Sequence, residues 1–210
     1  MSKVLLINGS PNQHGCTYTA LEEVSTTLNR NGVATEIYWI GKKSIAGCIN
    51  CQHCFKTGKC VFNTDGVNEI TARIHEFDGI ILGSPVYYAA PSGQLCSFAD
   101  RLFYSTMGAG SMAGKVAASV VSCRRGGASA AFDRLNKYFM MNNMIVIGSQ
   151  YWNQVHGFTP DDVRQDKEGM QTMRTLGQNM AWILQSIEAG KKAGVNKPVY
   201  EEPEFTHFIR

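Results

Sequence analysis

A chain of 210 residues, 44% hydrophobic and 18% charged, has the composition of one compact domain, long enough to bury a core without disulfide staples. Its net charge of +3 is too small to imply a nucleic-acid partner, and the pairs Lys42-Lys43, Arg124-Arg125 and Lys191-Lys192 lie far apart. The apolar run Val4-Leu5-Leu6-Ile7 is strand-length and no run approaches a membrane span, so neither a signal peptide nor a membrane partner is expected.

That pattern predicts a cytoplasmic chain, where cysteines serve as ligands or free thiols more often than as disulfides. Residues 3–8 are a continuous apolar run, as in a strand buried on both faces of a parallel sheet. Gly9-Ser10-Pro11-Asn12-Gln13-His14-Gly15-Cys16-Thr17 follows, then a helix pattern from about 17 to 31 with Ala20, Leu21, Val24 and Leu28 on one face. A strand, a loop of Gly, Ser, Asn and Thr, and a helix N-terminus together make an anion-binding arrangement. The loop matches neither the dinucleotide fingerprint nor the Walker loop, so a small phosphate monoester fits it better, against an ordinary β–α turn.

A second strand is expected at 34–40, after the turn at Asn31-Gly32. Residues 41–64 then interrupt the rhythm with Cys48, Cys51, Cys54 and Cys60, spaced C-x2-C-x2-C-x5-C. Four thiolates from one short loop suit a soft metal, above all an iron–sulfur cluster that the backbone wraps. Structural zinc sites more often draw on two separated pairs, and a loop that keeps its cysteines without a cluster is the plain alternative. His53 and His75 have no companion at metal-ligand spacing, and Cys16, Cys96 and Cys123 read as small packing residues.

A helix with Val67, Ile70, Ile74 and Phe77 on one face leads to a third strand at 78–84, which runs into Pro85-Val86-Tyr87-Tyr88. The next helix, from Ser92 to about 106, carries Leu95, Phe98, Ala99, Leu102 and Phe103. A glycine-rich loop, a fourth strand at 115–123 and Arg124-Arg125-Gly126-Gly127 come next. A further helix precedes a fifth strand at 144–149 and an aromatic loop at 150–157. Thr159-Pro160-Asp161-Asp162 is a good helix start, with a cap, a first-turn proline and two acids at the positive end. The stripe Met173, Leu176, Met180, Ile183, Leu184 and Ile187 reads as core or subunit interface.

Five strands alternating with five helices predict an α/β fold with an open parallel sheet and helices on both faces. Ligands of such sheets bind beyond the carboxyl ends of the strands, where the loops 9–17, 85–93 and 124–127 gather. The first supplies phosphate donors, the second a proline, two tyrosines and backbone amides, and the third two positive charges beside glycines. Together they describe a ligand with a phosphate at one end and a planar, hydrogen-bonding ring at the other, for which FMN is the natural candidate. An arginine near the ring would stabilise the negative charge of its reduced form.

Gly9-Ser10-Pro11-Asn12, Gly15-Cys16-Thr17, Ser84-Pro85-Val86-Tyr87-Tyr88 and Asp100-Arg101 resemble the flavodoxin-like NAD(P)H-dependent FMN reductases. The compact cysteine spacing resembles the iron–sulfur flavoprotein branch of that group. The resemblance covers roughly residues 1–150 and implies a five-stranded sheet in the order 2-1-3-4-5. It implies that Ser10, Asn12, Cys16 and Thr17 hold the FMN phosphate, and that Pro85, Val86, Tyr87 and Tyr88 hold the ring opposite Ser122, Arg124 and Gly126. Cys16 departs from the asparagine common in relatives.

The resemblance further implies hydride transfer from NAD(P)H and passage of electrons to a quinone, flavin or protein acceptor, by way of a [4Fe–4S] cluster on Cys48, Cys51, Cys54 and Cys60. No side chain is needed as acid or base, and Tyr88 and His156 are candidates only to gate the acceptor pocket. A homodimer or homotetramer is expected, with the aromatic loop at Tyr151-Trp152 covering a neighbour's flavin. Residues 1–190 are expected to form the FMN-binding domain, and 191–210 an extended tail. A flavodoxin-like carrier without turnover, a flavin reductase with no cluster and a zinc-stapled nucleotide module are the alternatives.

Overall fold

The computed structural model describes residues 1–208, so the last two residues of the expected tail lie outside the described residues. Among the described residues seven strands form one sheet: β1 (Lys3–Asn8), β2 (Ala34–Trp39), β3 (Gly79–Tyr87), β4 (Ala90–Pro91), β5 (Val116–Cys123), β6 (Ile145–Val146) and β7 (Gln154–His156). The path runs β2-β1-β3-β5-β6, with β4 beside β3 and β7 beside β5. This is the flavodoxin-like order that the family resemblance implied. All pairs are parallel except the short β3–β4 hairpin.

Helices cover both faces because the central strands have apolar side chains on both sides. Leu5, Ile7, Ile80 and Leu82 face one core, beneath α3 (Val67–Arg73), α4 (Gly93–Met107) and α5 (Ala128–Met141). Val4, Leu6, Ile81 and Ala118 face the other, beneath α1 (Cys16–Arg30), α6 (Pro160–Gln165) and α7 (Lys167–Lys192). One further short helix, α2 (His53–Thr57), lies in the cysteine loop. No helix among the described residues is long and apolar enough to cross a membrane.

The expected fifth strand at 144–149 is corrected. Only Ile145 and Val146 pair with the start of β5, while Gln154–His156, expected in a loop, pair with its end. Nine residues of chain thus span five of β5, and the excess leaves the sheet where Ser149 Oγ bonds Tyr151 O at 2.6 Å and Asn153 Oδ1 at 2.8 Å. A serine hydroxyl that satisfies nearby groups in this way competes with the ladder.

The third strand is longer than expected and continues through Pro85, Val86 and Tyr87. The helix start at Thr159 is a full capping box, yet that helix ends at Gln165. Asp166 then caps a second helix by accepting from Gly169 N at 2.9 Å. On α7 Met173, Leu176, Met180 and Leu184 are buried and Ile183 and Ile187 half-buried, so the apolar stripe is core.

Candidate functional site

Two neighbouring features occupy the carboxyl end of the sheet and the flank of α4. The first is the turn from β1 into α1. Asn8 is buried and braces this turn: its Nδ2 donates to Gln13 O at 3.0 Å, and its Oδ1 accepts from Ser10 N at 3.1 Å. Ser92 Oγ donates to Gly9 O at 2.7 Å and also caps α4, accepting from Leu95 N at 3.2 Å. A Cβ at Gly9 would stand 2.6 Å from Leu95 Cβ, so only glycine allows this approach.

Helix α1 begins with no side-chain cap and no acid in its first turn. Its positive end is therefore left to whatever binds there. Ser10 and Thr17 are buried beside it, and Thr17 Oγ1 lies 2.8 Å from Ser122 Oγ at the end of β5. Asn12 is exposed, and its backbone N–H donates to Ser10 Oγ at 3.1 Å. Cys16 Sγ is turned aside toward Gly157 O at 3.8 Å, and burial pushes its thiol pKa up. Uncapped amides and hydroxyls, with no acid in the first turn of the helix, fit the phosphate of FMN.

Register brings the second candidate segment to the same place, because Pro85 pairs with Ser122. Val86 and Tyr87 continue the strand, and Tyr88 and Ala89 form the hairpin tip with φ of 50° and 59°. Left-handed backbone at two successive non-glycine residues costs roughly 1–2 kcal/mol each. Tyr88 is fully exposed and Tyr87 half-exposed, so both rings are free to face a ligand. Gly127 seats the hairpin: with φ of 92°, its Cβ would stand 2.8 Å from Ala89 Cα. Arg124 and Gly126 are exposed beside it, and a Cβ at Gly126 would meet nothing within 4 Å.

His156 is half-buried in β7, its N–H donating to Asp166 Oδ2 at 2.7 Å. Asn153 Nδ2 and Gln154 Oε1 are buried there without hydrogen-bond partners among the described residues, a feature no sequence pattern signals.

The second feature is the cysteine loop, and it is held by α4. Asn50 (φ 52°) and Gln52 (φ 56°) are left-handed, as is Gly58, and these turns fold the loop tightly around Cys51 and Cys54. Asn68 Oδ1 accepts from Cys60 N at 2.7 Å, and its Nδ2 donates to Cys60 O at 2.9 Å. Cys48, Cys51, Cys54 and Cys60 line one pocket together with Phe62, Arg101, Tyr104 and Ser105. Among the described residues, no group of three or more His, Cys, Asp or Glu is placed to hold a metal ion. The thiols share a pocket without converging on a point.

Burial raises the Cys54 pKa, and the neighbouring Cys60 and Cys48 add to it. Four soft donors lining one pocket fit an iron–sulfur cluster, and so does the hydroxyl of Ser105, which is buried there with no hydrogen-bond partner among the described residues. A wider cleft of about 410 Å³ adjoins this pocket through Cys48 and Tyr104, and runs between α4 and α5 past Lys137 and Arg134.

Residues 2–159 match the family model described as NADPH-dependent FMN reductase. The chain belongs to that family. An iron–sulfur flavoprotein of Methanocaldococcus jannaschii is 34% identical over 193 residues, covering 89% of this chain and 99% of that protein. The iron–sulfur flavoprotein of Methanosarcina thermophila is 26% identical over 191 residues, covering 90% and 98%. Among solved structures, a WrbA-like flavodoxin from Agrobacterium tumefaciens superposes with a TM-score of 0.62 at 17% identity, over 89% of this chain and 99% of that one. That likeness bears on the fold alone. Membership of the FMN reductase family makes the chain an FMN-dependent oxidoreductase in class.

Proposed function

We propose that this chain is an NAD(P)H-dependent oxidoreductase with a quinone, flavin or protein acceptor, in which the carboxyl edge of the sheet would hold FMN and Cys48, Cys51, Cys54 and Cys60 would hold a [4Fe–4S] cluster. Bound FMN would supply the hydride chemistry, and the cluster the one-electron step. The observation that carries the flavin half is the uncapped, acid-free start of α1 with Thr17 and Ser122 hydroxyls 2.8 Å apart beside it.

The chain's own residues bind and orient. Ser10, Thr17 and the first amides of α1 would take the phosphate, with Asn12 and the Cys16 backbone at the rim. Pro85, Val86, Tyr87 and Tyr88 would flank one side of the ring, and Ser122, Arg124 and Gly126 the other. Arg124 would place positive charge where the reduced ring is negative. Tyr88 and His156 would gate access. The exposed rings of Tyr88, Tyr151, Trp152 and Phe158 support a homodimer or homotetramer in which a neighbour covers the flavin.

The test is anaerobic turnover of the FMN-loaded chain with NADH or NADPH and excess benzoquinone. Sustained nicotinamide oxidation, far beyond one equivalent per chain, is expected. FMN binding without nicotinamide oxidation would leave an electron carrier and remove the reductase half of the proposal.

A further inference from the structure

Arg101 and Ser105 stand one helical turn apart on α4, and both reach the pocket that the four cysteines line. Arg101 is only 1% exposed, and it spends all its donors on the cysteine loop. Its Nε donates to Cys60 Sγ at 3.1 Å, and its Nη1 to Ala46 O at 3.2 Å. Its Nη2 donates to Phe62 O at 2.9 Å, and both terminal nitrogens pair with the Asp65 carboxylate. Ala46 precedes the first cysteine and Phe62 and Asp65 follow the last, so one guanidinium staples both ends of the loop. Burial opposes the charge on Arg101, but its bonds to Asp65 and Cys60 outweigh this and hold its pKa above the ordinary value.

Ser105 completes the wall. It is 6% exposed and its hydroxyl has no partner among the described residues, an arrangement that a folded chain tolerates rarely. A sulfur acceptor in the pocket would satisfy it.

We infer that Arg101 and Ser105 are positioning residues for the cysteine-bound cluster: Arg101 closes the loop and donates to Cys60 Sγ, and Ser105 donates its free hydroxyl to a cluster or cysteine sulfur. This rests on the cluster reading proposed above. Reduction adds negative charge to the cluster, so donors aimed at its sulfurs stabilise the reduced form and raise the potential.

The test uses the full chain with iron, sulfide and FMN restored anaerobically. Ser105→Ala should keep its iron and lower the cluster's midpoint potential by about 59 mV, a tenfold shift of a one-electron couple. Ser105→Thr, which keeps the hydroxyl, should restore the wild-type potential. In the iron-free chain, Arg101→Gln should be cut within residues 47–63 several-fold faster than wild type, and Arg101→Lys at an intermediate rate.

An unchanged potential in Ser105→Ala, or unchanged cleavage in Arg101→Gln, would overturn the role assigned to that residue. Wild-type chain that takes up no iron would remove the cluster reading itself, and the role in tuning with it. The cleavage comparison needs no iron and still judges the staple.

Discussion

Thr17 and Ser122 come from segments more than a hundred residues apart, and their hydroxyls meet at 2.8 Å where a helix start lacks any cap. Replacing Thr17 by Val keeps the shape and removes one hydroxyl from the proposed phosphate position. A hydrogen bond to a charged group contributes about 1.5–3 kcal/mol, so FMN affinity should fall roughly tenfold or more in a fluorescence titration. An unchanged affinity would take Thr17 out of the phosphate site. Hydroxyls at a helix start and clustered thiols are local patterns, so the sequence already marks Ser10, Thr17 and the four cysteines, and the fold places the first two at the start of α1 and the cysteines around one pocket. Arg101 and Ser105 are not so marked: Arg101 sat in a familiar pair with Asp100, and only packing shows that it faces the cysteines. Ser105 gave no signal, because an unpartnered hydroxyl exists only once its surroundings are folded.

At the scale of elements, the hairpin tip holds Tyr88 and Ala89 in left-handed backbone, and Gly127 supports it from below. Ala89→Gly should relieve that strain and raise unfolding stability by about 1 kcal/mol, read as a shift in the urea midpoint. A destabilised variant would show that the tip is not strained.

A charge network ties the opposite end of the sheet. Glu36 on β2 accepts from Arg73 Nη2 at 2.8 Å and from Lys3 Nζ at 2.8 Å. Arg73, and then Lys3, hold the Glu36 pKa near 2, against an ordinary value of 4.5. The folded pKa is depressed, so this stabilisation is complete above about 4.5 and is lost as pH falls through about 2. Glu36→Gln should therefore be less stable than wild type near neutrality, with the gap closing toward pH 2 in thermal melts. A constant gap across that range would contradict it.

The broken fifth lane was the least legible element. The run Met144-Ile145-Val146-Ile147 looks like an ordinary strand, and only the turn around Ser149 and the return at Gln154 show the interruption.

At the scale of the molecule, a parallel sheet with two-sided helix cover followed from the alternation of apolar runs and amphipathic stretches, and the strand order from the resemblance to the flavodoxin-like reductases. The placement of the cysteine loop did not, since it depends on a buried arginine from α4. One sheet edge thus carries the proposed phosphate and ring site, and α4 runs from that edge, at Ser92, to the cysteine pocket, at Ser105. A single helix links the two proposed redox sites.

The central claim is that one chain holds both groups. It is tested most directly by iron, acid-labile sulfide and FMN analysis of the anaerobically reconstituted chain beside a Cys51→Ser, Cys54→Ser double variant. The wild type should carry one FMN and the iron and sulfide of one [4Fe–4S] cluster, and the variant should lose the iron while keeping its FMN. A wild type that binds FMN but no iron, or a double variant that keeps its iron, would contradict it.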